Sequence, residues 1–195
     1  MKFGGLILAA GESSRMGDFK PLLELRGKTV IENSLMSLMD AGVSDICVVL
    51  GKNLEDVKRV LSKYKIKIVI NENYSRTEMF DSMKIGLKEL LDNDAILYLP
   101  GDCPVVKSST VKSLMSVFEN NEVEIVYPTY RNKKGHPPVI GKQCYNKILE
   151  FEEAGGLREV FKRNNCSSIL VETNDNGTVL DIDNKDDYLK IIKDH

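Results

Sequence analysis

Short apolar runs alternating with amphipathic stretches limit what this chain can fold into more than any other feature. Residues 3–8, 45–50, 66–70, 95–99 and 124–127 are rich in Ile, Val and Leu and have strand length, the composition of strands buried on both faces. Between them lie helical patterns near residues 30–41, closed by Gly42, and near 54–64, 81–91 and 109–120. In the second of these, Leu54, Val57, Val60, Leu61 and Tyr64 recur at helical spacing, with charges on the other face. Strands alternating with helices over short connections predict an α/β fold, a mostly parallel sheet flanked by helices. After Pro128 the rhythm changes. Residues 130–138 are polar and turn-rich, followed by Val139-Ile140-Gly141, helical stretches at 142–151 and 156–164, a strand at 168–171 and a last helix from Asn184. No repeat or linker divides the chain, which therefore reads as a single domain over residues 1–195.

Composition removes several function classes. The 27 basic and 29 acidic side chains give a net charge of −2 with no strongly basic segment, which argues against a nucleic-acid binder that relies on phosphate neutralisation. Cys47, Cys103, Cys144 and Cys166 are far apart and form no CxxC pair, and only two histidines accompany them. Reduced thiols without a structural zinc site are the expectation. No apolar stretch approaches the ~18–20 residues needed to span a bilayer, and no export signal is read at the N-terminus. A cytoplasmic protein is expected, with no membrane partner.

In such a sheet, ligands bind at the carboxyl ends of the strands. Three turn segments are expected there: AAGESSRMG after the first strand, NENYSRTEMFDS after the third and PGDCP after the fourth. Two familiar phosphate loops fail for the first of them. The dinucleotide fingerprint would need glycine where Ser13 stands, and the Walker A pattern ending in Gly27-Lys28-Thr29 would need glycine at Leu22. What remains is a run of small residues, Ala9, Ala10 and Gly11, whose backbone N–H groups can approach an anion closely, with Arg15 and Lys20 as nearby cations. A glycine-rich turn with solvated cations is the competing interpretation.

Leu8-Ala9-Ala10-Gly11, Ser14-Arg15-Met16-Gly17 and Lys20-Pro21 resemble the signature loop of nucleotidyltransferases. Within these, the resemblance is to the molybdenum cofactor cytidylyltransferase group, related to the guanylyltransferases of the same cofactor. It continues through Asn71, Ser82, Gly86-Leu87, Pro100-Gly101-Asp102-Cys103-Pro104, Gly135-His136-Pro137-Pro138, Asp181-Ile182-Asp183 and Asp187-Tyr188. The resemblance implies a Rossmann-like nucleotidyltransferase fold, with a nucleotide-binding half over about residues 1–104 and an acceptor-substrate half over about 105–195. It implies transfer of CMP from CTP to the phosphate of molybdopterin or molybdenum cofactor, with release of pyrophosphate. An apo molybdenum hydroxylase is the implied recipient. A sugar or alcohol phosphate as acceptor, or a carrier without turnover, are the alternatives.

By the same resemblance, Lys20, Arg15 and Asp102 carry the catalysis, and Leu8, Ala9, Ala10, Gly11, Arg15, Lys20, Asn71, Ser82 and Asp102 bind the nucleotide. Asp102 and Asp183 hold Mg²⁺, with Mn²⁺ as the alternative, and His136 and Arg158 face the acceptor. The chemistry is consistent with these roles. Attack on an α-phosphate crowds negative charge, so cation clamps and positioning do most of the work, and Mg²⁺ favours carboxylate and phosphate oxygens. Ala10 stands where the guanylyltransferases carry glycine, and its methyl would crowd a purine more than a pyrimidine. Asn71 is placed to meet a cytosine edge. Ser82 could do the same or cap the next helix. Cys103 is expected to act as a small hydrophobe. The chain departs from the group at Glu78-Met79, where many relatives have Gly before Met, and at residues 154–158, Ala-Gly-Gly-Leu-Arg.

Overall fold

The computed structural model describes residues 1–10, 19–51, 54–74 and 78–194. In chain order its elements are β1 (Phe3–Ala9), a small hairpin of β2 (Glu24–Leu25) and β3 (Lys28–Thr29), α1 (Val30–Met39), β4 (Asp45–Leu50), α2 (Leu54–Leu61), β5 (Lys67–Ile70), α3 (Met79–Lys88) and β6 (Ala95–Pro100). The second half adds α4 (Ser108–Glu119), β7 (Ile125–Tyr130), β8 (Lys133–Lys134), β9 (Val139–Gly141), α5 (Tyr145–Leu149), α6 (Gly156–Arg163), β10 (Ser168–Glu172) and α7 (Lys185–Asp194). None of the helices is long and apolar enough to cross a membrane, among the described residues.

The main sheet runs β5-β4-β1-β6-β9-β7-β10, with β8 folded back on β7. Every pairing on the β5-to-β6 side is parallel. β9 enters antiparallel between β6 and β7, and β10 is again parallel to β7. Because β4 and β5 lie on one side of β1 and β6 on the other, the connections part above the carboxyl ends of β1 and β6, where ligand crevices form in open α/β sheets. The reversal of β9 brings its first residues, just after His136, to that same edge.

Side-chain alternation along the strands fills a layer on each face. Ile7, Val48, Leu50, Leu97 and Leu99 join Ile31, Leu35, Val57 and Leu114 from α1, α2 and α4 on one face. Leu6, Leu8, Val49, Ile96 and Tyr98 join Met83, Leu87, Ile148 and Val160 from α3, α5 and α6 on the other. A third cluster of Leu25, Val30, Val105, Ile182 and Ile191 seats α7 beside the small hairpin. Gly86 sets how closely α3 can approach, since a Cβ there would fall 2.4 Å from Leu6 Cδ1 and 2.6 Å from Val49 Cγ2.

The α/β expectation holds, with local differences. β7 runs on through Pro128 to Tyr130 because β8 pairs back onto it. The stretch at 142–151 is not one helix but a 3-10 turn, Lys142–Cys144, followed by the five-residue α5. β10 is an edge strand with alternating burial, and its Leu170 is 55% exposed.

Candidate functional site

At the crevice, β1 and β6 end side by side. Gly101 N–H donates to Leu8 O at 2.8 Å, and a Cβ on Gly101 would lie 3.0 Å from Ala9 Cβ and 3.1 Å from Ile31 Cδ1. The glycine therefore lets the turn after β6 lie against β1 and sets Asp102 at the strand end. Asp102 O accepts from Ile182 N–H at 3.1 Å. Ile182 is fully buried beneath α7 while its neighbours Asp181 and Asp183 are exposed, so an apolar anchor holds two acids beside a third. Lys20 Nζ, mostly buried, lies 3.4 Å from Asp183 Oδ1.

Three carboxylates thus gather around the single ammonium of Lys20 among the described residues. Burial pushes the Asp102 carboxyl up; Lys20 opposes this, and the Asp181 and Asp183 charges add to it. Burial, then Asp183, likewise raise Asp181. Carboxylates that raise one another in this way are a donor set with an excess of negative charge, which fits a hard divalent cation. Asp102 and Asp183 were expected here. Asp181 was not, and its signal was the Asp-Ile-Asp alternation, in which a buried middle residue turns both acids outward together.

A second group lies at the ends of β4 and β5. Asn71 N–H donates to Leu50 O at 2.8 Å, and its Nδ2 donates to Ser82 Oγ at 2.9 Å. Both side chains are buried. Asn71 Oδ1 accepts from Asn73 N–H at 3.1 Å. Gly51 stands between this group and β1, for a Cβ on it would meet Tyr74 Cβ at 2.7 Å and Ala10 O at 2.8 Å. Ser82 does not cap α3. Glu78 and Asp81 form that capping box, which leaves the Ser82 hydroxyl inside the helix with Asn71. The methyl of Ala10 belongs to the buried layer under α3, on the side of Asn71 and Ser82.

A cavity of about 880 Å³ opens where Tyr98, four residues before Asp102, faces α3 and α6. Phe80, Tyr98, Tyr127 and Phe161 supply an apolar wall, and Lys134, Arg158 and Lys162 supply positive charge. Lys134 Nζ stands 4.4 Å from the centre of the Tyr127 ring. His136 packs edge-on against Tyr98, ring centroids 5.3 Å apart. Burial holds its imidazole below the usual histidine range, opposed by a hydrogen bond to the Tyr98 backbone. Its Nδ1 is buried and has no hydrogen-bond partner among the described residues. The loop carrying His136 is pinned from outside the cavity: His136 N–H donates to Thr178 O at 2.7 Å. Gly135 permits this contact, since a Cβ there would fall 2.3 Å from that same oxygen.

The structure thus groups Leu8, Ala9, Ala10, Lys20, Asp102 and Asp183 at one edge, pairs Asn71 with Ser82 beside them, and lines the cavity with His136 and Arg158. Gly11 and Arg15 lie outside the described residues. Cys103 is buried beside Asp102, as expected of a small hydrophobe.

Known proteins share this framework. The chain is 27% identical over 171 residues to the bifunctional protein GlmU of Syntrophomonas wolfei; the match takes in 85% of this chain and 38% of that protein. It thus spans well under half the length of this relative. It is 23% identical over 184 residues to the molybdenum cofactor cytidylyltransferase of Escherichia coli, covering 94% of this chain and 92% of that one. Rv0371c from Mycobacterium tuberculosis superposes with a TM-score of 0.82 at 23% identity, over 99% of this chain and 98% of that one. A structure of Rv0371c has also been solved in complex with manganese. The family model described as the MobA-like NTP transferase domain matches residues 5–168, and the chain belongs to that family.

Proposed function

We propose that this nucleotidyltransferase moves CMP from CTP to the phosphate of molybdopterin or its molybdenum-loaded form, releasing pyrophosphate. The observation that carries the proposal is the placement along β6, where Tyr98 faces a cation-lined apolar cavity and Asp102 closes the strand within a carboxylate group. A flat heteroaromatic acceptor ending in a phosphate suits both ends of that arrangement. The likeness to the Escherichia coli cytidylyltransferase over nearly the whole of both chains supports it.

Asp102 and Asp183, with Asp181 beside them, are the residues that would hold Mg²⁺ or Mn²⁺. When bound, the ion neutralises the phosphate charge that gathers during transfer. Lys20 leaves Asp183 to donate to a phosphate oxygen, and Arg15 adds a planar pair of donors. Leu8, Ala9, Ala10 and Gly11 pass the nucleotide along their backbone. Asn71 and Ser82 meet the base, with the Ala10 methyl favouring a pyrimidine. His136 and Arg158 orient the acceptor, the neutral imidazole as hydrogen-bond acceptor at Nδ1 and the guanidinium as phosphate clamp.

A second reading keeps the nucleotidyl transfer and takes a sugar or alcohol phosphate as the acceptor, whose phosphate the cations Lys134, Arg158 and Lys162 of the cavity would equally hold. Incubation of the purified protein with each nucleoside triphosphate and each acceptor class, followed by mass analysis, separates the two. CMP-molybdopterin formed from CTP supports the first reading. Turnover confined to sugar or alcohol phosphates establishes the second.

A further inference from the structure

At the start of β7 and β10, the ends of these strands away from His136, three side chains with metal-ligating atoms meet. Glu124 immediately precedes β7, Cys166 lies just ahead of β10, and Cys144 ends the 3-10 turn before α5. Their ligating atoms all lie within 4.8 Å of one another, and Cys144 Sγ is 4.0 Å from Glu124 Oε1. Nothing in the spacing of these residues along the chain announces the cluster. The sheet assembles it by pairing β10 with β7 and β9 with β7.

The frame around the cluster is well tied. Ser167 N–H donates to Glu124 Oε2 at 2.8 Å. Ile125 N–H donates to Ser167 O at 3.1 Å, and Gly141 N–H donates to Glu124 O at 2.8 Å. A positive charge already sits among the three groups, for the Lys147 ammonium on α5 bonds Glu124 Oε1 and lies 3.6 Å from Cys166 Sγ. Lys147 is 30% exposed, so its ammonium has a path to solvent.

We propose that Cys144, Cys166 and Glu124 form a binding site for a thiophilic divalent ion of the Zn²⁺ class, which takes the position now filled by the Lys147 ammonium. Two sulfurs and one carboxylate oxygen are a donor set that zinc accepts, with a fourth, open position for water. At Zn–S distances of about 2.3 Å, tetrahedral ligands stand roughly 3.8 Å apart, so the side chains need to close by only about 1 Å. On binding, the thiols of Cys144 and Cys166 each release a proton to solvent while the metal–sulfur bonds form, and Lys147 remains close enough to balance the negative charge of the three ligands. Burial, the neighbouring Cys166 and the Glu124 charge keep the Cys144 thiol protonated in the metal-free chain. Metal uptake therefore strengthens as pH rises. Such an ion would join three separate segments at the base of the half that carries His136 and Arg158. Cys166 also lines the cavity itself.

Cobalt titration of the thiol-reduced protein tests this directly. One equivalent of Co²⁺ should bind with a thiolate-to-cobalt charge-transfer band, and Zn²⁺ should displace it. Cys166→Ala, a half-buried position that tolerates the smaller side chain, should lose more affinity than the about 10–100-fold that removal of an outer-shell partner costs. Asp102→Asn should bind cobalt at this site unchanged. Zn²⁺ should raise the Tm of the reduced Asp102→Asn variant and raise that of Asp102→Asn combined with Cys166→Ala distinctly less. Absence of the band, its persistence in Cys166→Ala and Cys144→Ala, or oxidation of the pair to a disulfide without metal uptake would each overturn the proposal.

Discussion

The backbone N–H of Ile182 donates to the carbonyl of Asp102 at 3.1 Å, fastening the segment before α7 to the end of β6. Through that bond the acids on either side of Ile182 stand beside Asp102, so groups from distant parts of the chain share one electrostatic environment. Asp102→Asn keeps the shape of the side chain and removes its charge. Turnover of the folded variant should fall by at least about a hundredfold, while CTP binding measured without metal survives. Near-normal turnover would remove Asp102 from the chemistry.

Lys20 is mostly buried and pairs with Asp183 at 3.4 Å, a position from which its ammonium can serve a phosphate. A hydrogen bond to a charged group is worth about 1.5–3 kcal/mol, so Lys20→Ala should weaken CTP binding by roughly ten- to a hundredfold. Cytidine binding should stay within twofold or so. Calorimetry with both ligands checks this, and equal losses for the two would make Lys20 a structural residue.

Glu32 predicts how the fold responds to acid. Burial alone would raise its carboxyl, but hydrogen bonds from Lys63, the Thr29 backbone and hydroxyl, and Tyr64 outweigh this and bring it from 4.5 down to about 2. A carboxyl held lower in the folded chain than in the unfolded one stabilises the fold fully above pH 4.5. That contribution is lost as pH falls from there towards 2. A displacement of this size corresponds to roughly 3 kcal/mol. Glu32→Gln should therefore destabilise the protein at pH 7 and flatten the fall in stability below pH 4.5. Urea unfolding across that range reads both effects, and identical pH profiles for the two proteins would contradict the assignment.

Gly135 offers a separation of fold from nucleotide binding. Its Cβ in an alanine variant would lie 2.3 Å from Thr178 O, a backbone atom that cannot swing aside. Gly135→Ala should cost about 1–3 kcal/mol of stability and raise KM for the acceptor by moving the His136 loop. KM for the nucleotide should change little. A variant with parallel losses in both would show that the loop supports the whole edge.

The central strands were legible because β1, β4 and β6 are apolar on both faces and of strand length. The hairpin of β2 and β3 was not, since two residues per strand leave no periodicity to detect. Pro128 reads as a break because it has no N–H to give, yet it sits within β7 opposite Val171. Among the site residues, Asp102 and Asp183 carried motif information. Asp181 lay in the same motif but drew no role, because the run DIDNKDD looks like an acidic helix start until Ile182 is seen to be an anchor. Ser82 looked equally suited to capping or to contact, and only the position of Glu78 at the start of α3 decides between them. Cys144 and Cys166 meet through strand pairing, which their spacing along the chain cannot reveal.

Tyr98 and Asp102 belong to one continuous piece of backbone at the end of β6, and extended chain advances about 3.3 Å per residue, so their Cα atoms stand at most about 13 Å apart. That piece of backbone works as a gauge. A molecule that fills the cavity at Tyr98 and brings its phosphate to Asp102 must have a matching reach. One whose two groups stand much farther apart than that span can fill either end but not both. Length thus becomes a criterion for admission, set by peptide geometry and independent of how tightly either end binds.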